Sequence, residues 1–144
     1  MATTSTAAHS APTRTDLSDP TMQAFWLLRV GFTVAPILFG VDKFLGVLAD
    51  WPTYLWSGVD RLLPGTASDA MLVVGVIEIL AGVLVAVRPR IGGYVVAAWL
   101  AGIIVNLLLV GDFYDIALRD VGLLLGALAL ARLATATAQR GART

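Results

Sequence analysis

Residues 91–111 run from Arg90 to Asp112 without a single charge, and 21 residues at 1.5 Å each are enough to cross the hydrocarbon of a bilayer as one α-helix. Composition extends this constraint to the rest of the chain. Of 144 residues, 58% are apolar and 14% charged, against about 45–50% and about 25% in a soluble domain. The chain reads as an integral membrane protein with one domain and little mass outside the bilayer.

Three further segments reach spanning length. Residues 70–87 are broken only by Glu78, and 12 of these 18 are Met, Leu, Val or Ile. Their insertion is worth roughly −4 to −7 kcal/mol against about +3 for one central acid. The first segment, 23–47, carries Arg29 inside, Asp42 and Lys43 near its far end, and Pro36 as a kink. The last, 114–134, is bounded by Arg119 and Asp120 at one end and Arg132 at the other, with a shift toward Ala138 as the alternative. The expected fold is all-α, an antiparallel transmembrane four-helix bundle with spans at about 23–47, 69–88, 91–111 and 114–134. Trp51, Tyr54, Trp56, Leu62 and Leu63, punctuated by Pro52, Pro64 and Gly65, suit a short interfacial helix between the first two spans.

Residues 1–21 are rich in Ala, Ser, Thr and Pro and are expected to form a disordered tail, with Ser18 and Asp19 before Pro20 as a helix start. The tail lacks the apolar core of a secretory signal, so the first span is expected to stay as an anchor. Residues 135–144 form a second polar tail. Counting Lys and Arg alone, a topology with both termini cytoplasmic puts Arg14, Arg88, Arg90, Arg132, Arg140 and Arg143 inside and Lys43, Arg61 and Arg119 outside. The expected location is the cytoplasmic membrane, multi-pass, with the lipid bilayer as partner.

Helical periodicity sorts the intramembrane polar residues onto faces. Arg29, Thr33, Pro36, Gly40 and Lys43 share one stripe; so do Gly75, Glu78, Gly82 and Ala86; so do Ala98, Gly102 and Asn106; so do Asp112, Asp115, Arg119, Gly122, Gly126 and Ala129. Gly40, Gly75, Gly82, Gly102, Gly122 and Gly126 are the expected helix-packing positions, and the Gly122/Gly126 GxxxG serves internal packing or a homo-oligomer equally well. Arg29, Lys43, Glu78 and Asn106 form the candidate polar seam or ligand site; Asp42, Asp112, Asp115, Arg119 and Asp120 form an outer charge cluster. Measured from the helix ends, Arg29 and Glu78 fall close enough in depth to predict an ion pair. Asp115 and Arg119 are placed for an i, i+4 pair, and Asp42, Lys43, Asn106 and Asp120 for a shared level. The tryptophans and tyrosines read as belt and packing residues.

The formal net charge is zero, so nothing points to nucleic acid. There is no cysteine, and the single histidine, His9, lies in the tail. Metal coordination, haem ligation and nucleophile–base catalysis of the serine or cysteine type therefore lack their residues. No intrinsic cofactor is expected, and any redox role would come from a bound quinone or a partner subunit. The membrane charges have two readings, structural pairing that fixes helix register and a direct part in binding or proton handling.

Leu28-Arg29-Val30-Gly31-Phe32, Phe39-Gly40 and Asp42-Lys43-Phe44 on the first span, with Gly75, Glu78 and Gly82 on the second, resemble the DoxX family of small four-helix membrane proteins. Arg29, Gly40, Lys43, Glu78 and Gly82 match its motifs, while the third and fourth spans match in hydropathy alone. Asn106 and the stretch from Asp112 to Asp120 have no counterpart in that pattern. The wider group includes a small membrane subunit of a thiosulfate:quinone oxidoreductase and proteins associated with oxidative stress or thiol systems. The resemblance implies a membrane subunit or quinone-linked accessory of a redox system, with a redox-enzyme partner subunit and no redox group of its own. From another class come a small-solute or proton-coupled carrier using Glu78, and a non-catalytic scaffold or assembly factor.

Overall fold

The computed structural model describes residues 19–58 and 65–142, and every regular element in them is helical. Helices α1 (Pro20–Leu45), α2 (Ala67–Val87), α3 (Pro89–Val110) and α4 (Tyr114–Ala142) follow in order, with a 3-10 turn at Trp51–Tyr54 between the first two. The expected disordered tail falls almost wholly outside the described residues, as do Arg61, Leu62, Leu63 and Pro64 of the expected interfacial helix; what is described of that segment is the 3-10 turn. All four helices are long and apolar enough to cross a membrane, which makes this a multi-pass protein with four spans.

Local chemistry sets the ends. The Asp19 side chain accepts from the Thr21 amide at 2.9 Å, and Pro20 occupies the first helical position, where its missing N–H costs nothing. Thr66 and Asp69 form a reciprocal capping box at the start of α2. Gly46 closes α1 at φ 63° and Gly111 closes α3 at φ 89°, left-handed conformations that a Cβ would strain. Arg88 alone separates α2 from α3. Helix α4 continues eight residues past the expected limit at 134, so most of the expected C-terminal polar tail is helix.

The helices pack as antiparallel pairs, α1 on α2 and α3 on α4, with smaller faces joining the pairs. Glycine sets the approach of the first pair. A Cβ on Gly40 would lie 2.6 Å from the Gly75 carbonyl oxygen, and one on Gly82 would lie 2.7 Å from that of Thr33. In the second pair a Cβ on Gly93 would lie 2.8 Å from the Ala127 carbonyl oxygen. These contacts fix a register in which the first turns of α1 and the last turns of α4 run on past the α2–α3 turn by roughly 12 Å. The two overhanging ends are tied by Asp19 and Arg140 at 3.3 Å, beside an apolar core cluster that includes Phe25, Val85, Leu130 and Ala134.

That apolar core lies toward one end of the bundle, together with Arg29, Arg88, Arg90, Arg132 and Arg140, faced among the described residues by Asp19 alone. The opposite half carries Asp42, Asp50, Asp69, Glu78, Asp112, Asp115 and Asp120 with Lys43 and Arg119. Net neutrality of the chain thus conceals a strong segregation of charge along the helix axes.

Candidate functional site

The polar half of the bundle is organised around Lys43 and Glu78, whose Nζ and Oε2 lie 2.7 Å apart. The close passage of Gly40 over Gly75 brings the two helices near enough for the lysine to reach the carboxylate. Both side chains are withdrawn from solvent, at 4% and 10% exposure. Two bare charges at that depth would cost several kcal/mol each, and their pairing is what makes the burial tolerable.

Each helix contributes to this centre. The Trp99 indole N–H of α3 is buried and faces the Glu78 carboxylate as a weak donor, beyond close hydrogen-bond range. Asp120 of α4 is itself buried and near enough to oppose the charge of Glu78. Its ion-pair partner among the described residues is Arg119, at 3.8 Å, whose side chain is 68% exposed. Lys43, Glu78, Trp99 and Asp120 therefore gather one residue from each of α1 to α4, with Lys43 paired to Glu78 and Asp120 beside that carboxylate.

The segment after α1 forms a cover. Gly46 turns the chain back, so Asp42 accepts from the Val47 and Leu48 amides at 3.1 Å and from the Trp51 Nε1–H at 2.7 Å. This holds the Trp51 ring over Lys43, with the ammonium 3.7 Å from the ring centroid, a cation–π contact strengthened by desolvation. Phe39 meets the same ring edge-on at 6.1 Å, and Tyr54 packs on Phe113 at 4.6 Å. Asn106 completes the cover by donating to the Tyr54 carbonyl oxygen at 2.6 Å and accepting from the Trp56 amide at 3.0 Å. One α3 side chain thereby satisfies two backbone groups of the 3-10 segment.

The predicted Arg29–Glu78 ion pair is not formed. Arg29 donates instead to the Ala86 carbonyl oxygen at 2.5 Å, at the C-terminal end of α2, where free carbonyls favour a cation. Its guanidinium also lies 4.8 Å from the centre of the Trp26 ring. Glu78 is eight residues, or about 12 Å, further along the axis. The expectation assumed helix ends level with one another, whereas α1 overhangs α2. The expected Asp115–Arg119 pair is also replaced, by Arg119–Asp120, with Asp112 and Asp115 on the exposed surface. Asp42 and Lys43 meet at Trp51, and Asp120 meets Lys43 through Glu78; Asn106 joins them through the 3-10 segment.

Among the packing glycines, Gly40, Gly75 and Gly82 lie against the neighbouring helix, and Gly126 lies against the Phe32 ring. Gly102 and Gly122 have nothing within 4 Å of a Cβ position and face outward. Gly92 and Gly93 were missed, although a Cβ on Gly92 would lie 2.6 Å from the Val85 backbone. The signal was their pairing directly after the turn, where one helix must pass close to two others. Trp51 and Trp99, expected as belt and packing residues, lie against Lys43 and Glu78 at the centre.

Fold and centre together define a four-span membrane protein whose polar interior is closed by an aromatic cover. Comparisons with protein families, with curated proteins and with solved structures return no match for this chain.

Proposed function

We propose that this chain is a membrane subunit or quinone-linked accessory of a redox system in a bacterial cytoplasmic membrane, with both termini cytoplasmic and no redox group of its own. The observation that carries the reading is a polar centre drawn from all four helices, in which the buried Trp99 N–H and Asp120 border the Lys43–Glu78 ion pair. A quinone head needs such a donor for its carbonyl oxygen and aromatic surfaces for its ring; the group itself would supply two-electron redox chemistry. Trp99 would donate, and Trp51, Tyr54 and Phe113 would supply the ring surfaces. Of the five residues that carry the DoxX resemblance, Gly40, Lys43, Glu78 and Gly82 lie on the α1–α2 face, and the fifth, Arg29, bonds to Ala86 of α2. The exposed Asp112, Asp115 and Arg119 would dock the redox-enzyme partner.

The test is binding of a short-chain ubiquinone analogue to the protein in nanodiscs, read by quenching of tryptophan fluorescence. Saturable quenching in the wild type that weakens about tenfold in Trp99→Phe, the cost of one lost buried hydrogen bond, supports the reading. Linear quenching identical in both proteins overturns it.

A second reading, a proton-coupled carrier, is favoured by one observation: a second buried carboxylate, Asp120, lies beside the Lys43–Glu78 pair. Proton flux into liposomes that Glu78→Gln abolishes, without loss of folded protein, would select it.

A further inference from the structure

The arginine-rich end carries a feature that the polar centre does not use. Helix α2 ends at Val87 and α3 begins at Pro89, so the chain reverses on Arg88. The Arg88 amide donates to the Leu84 carbonyl oxygen at 2.7 Å, and its own carbonyl accepts from Gly92 at 2.8 Å. With Pro89 fixing φ at the first helical position, this turn is rigid, and Arg88 and Arg90 both project from it exposed. Among the described residues neither has a carboxylate within ion-pair distance, and the one acid at this end, Asp19, is taken by Arg140.

From Arg90 a shallow, open depression of about 570 Å³ runs along the outer face of α3, lined by Arg90, Ile91, Tyr94, Val95 and Ala98 of that one helix. These positions step down one side of the helix, so the lining changes from a guanidinium, through the amphipathic Tyr94, to a wholly apolar wall. The inward face, with Gly92, Gly93, Val96 and Ala97, is buried against the rest of the bundle, and the side with the depression is exposed.

We propose that this depression is a binding site for an anionic phospholipid, with its phosphate on Arg90 and Arg88 and one acyl chain along Ile91, Val95 and Ala98. The occupant follows from charge and depth. An uncompensated pair of arginines where a span meets the interface attracts anionic headgroups, and the apolar lining below lies where acyl chains lie. The side-chain stems of the arginines remain on the apolar surface while their heads reach the phosphates. Arg29, held at the same level by its bond to Ala86, adds to the positive field with donors to spare.

Native mass spectrometry of the purified full chain, titrated with equal amounts of phosphatidylglycerol and phosphatidylcholine of matched chains, tests the site. One phosphatidylglycerol per chain is expected to be retained about fivefold or more over phosphatidylcholine, the preference that one interfacial arginine confers. The R88Q/R90Q variant should lose that preference. Arg119→Gln, at the opposite end, should keep it. Ala98→Phe fills the depression without touching a charge, faces lipid and so spares the fold, and should lower retention of both lipids. Equal retention of the two lipids by the wild type, unchanged preference in R88Q/R90Q, or binding of inorganic phosphate as tight as that of the lipid would each overturn the proposal.

Discussion

Lys43 lies two residues from the end of α1 and Glu78 in the middle of α2, yet their charged atoms meet at 2.7 Å. The lysine stem spans the offset, and Trp51 seals the pair from the side that α1 leaves open. The pair is thus both an interhelical bond and the floor on which the cover rests.

Glu78→Gln leaves the Lys43 ammonium buried without a counter-charge, and removing one partner of a buried pair costs about 3–5 kcal/mol. The double variant Lys43→Met/Glu78→Leu removes both charges and is expected to recover most of that loss. Thermal unfolding of the three proteins in the same detergent decides; equal stability of Glu78→Gln and wild type would mean that the pair contributes nothing.

Asn106→Leu deletes both side-chain bonds to the 3-10 segment at once. The expected result is local, because α3 keeps its packing. Amide exchange at residues 51–58 should accelerate at least about tenfold, the equivalent of one net hydrogen bond, with the helices unchanged. Uniform acceleration across the protein would contradict a purely local clamp.

Gly40→Ala and Gly93→Ala place a methyl group under 3 Å from a backbone oxygen on the facing helix. Each is expected to destabilise by about 1–3 kcal/mol through forced separation of the pair. Gly102→Ala and Gly122→Ala add the same methyl group to open space, and the helix gain of about 0.5–1 kcal/mol should leave them neutral or stabilised. Melting temperatures of the four variants would separate the two classes, and indistinguishable values would refute the assignment.

Asp19 serves both as the N-cap of α1 and as the partner of Arg140. Asp19→Ala should cost about 1 kcal/mol through the cap, while Arg140→Gln, which removes an exposed ion pair, should cost less than about 1 kcal/mol. A larger effect for Arg140→Gln in thermal unfolding would show that the overhanging ends depend on the ion pair.

The four spans were legible because a bilayer demands long apolar runs and little else produces them. Residues 91–111, for example, give α3 to within two residues at either end. Which residues share a stripe was legible too, since the helical repeat is fixed. What a stripe faces was not. Gly102 repeats with Asn106 as regularly as Gly82 does with Glu78, yet only Gly82 meets a neighbour. Axial register was equally hidden, because it depends on which glycine seats against which backbone. That is why Arg29 was assigned to Glu78, when the Gly40–Gly75 and Gly82–Thr33 contacts set it beside Ala86. The place of Trp51 over Lys43 depends on a chain reversal at Gly46, which hydropathy does not report.

The segregation of charge gives the bundle an electric moment along the membrane normal. Among the described residues, five arginines stand at one end against Asp19, and seven carboxylates at the other against Lys43 and Arg119. An elementary charge carried across 100 mV is worth about 2.3 kcal/mol, so a resting membrane distinguishes the two ways in which this fold can be inserted. The same helices, turned over, would hold their charges against the field at both surfaces, and the voltage would act as a sorting force during assembly.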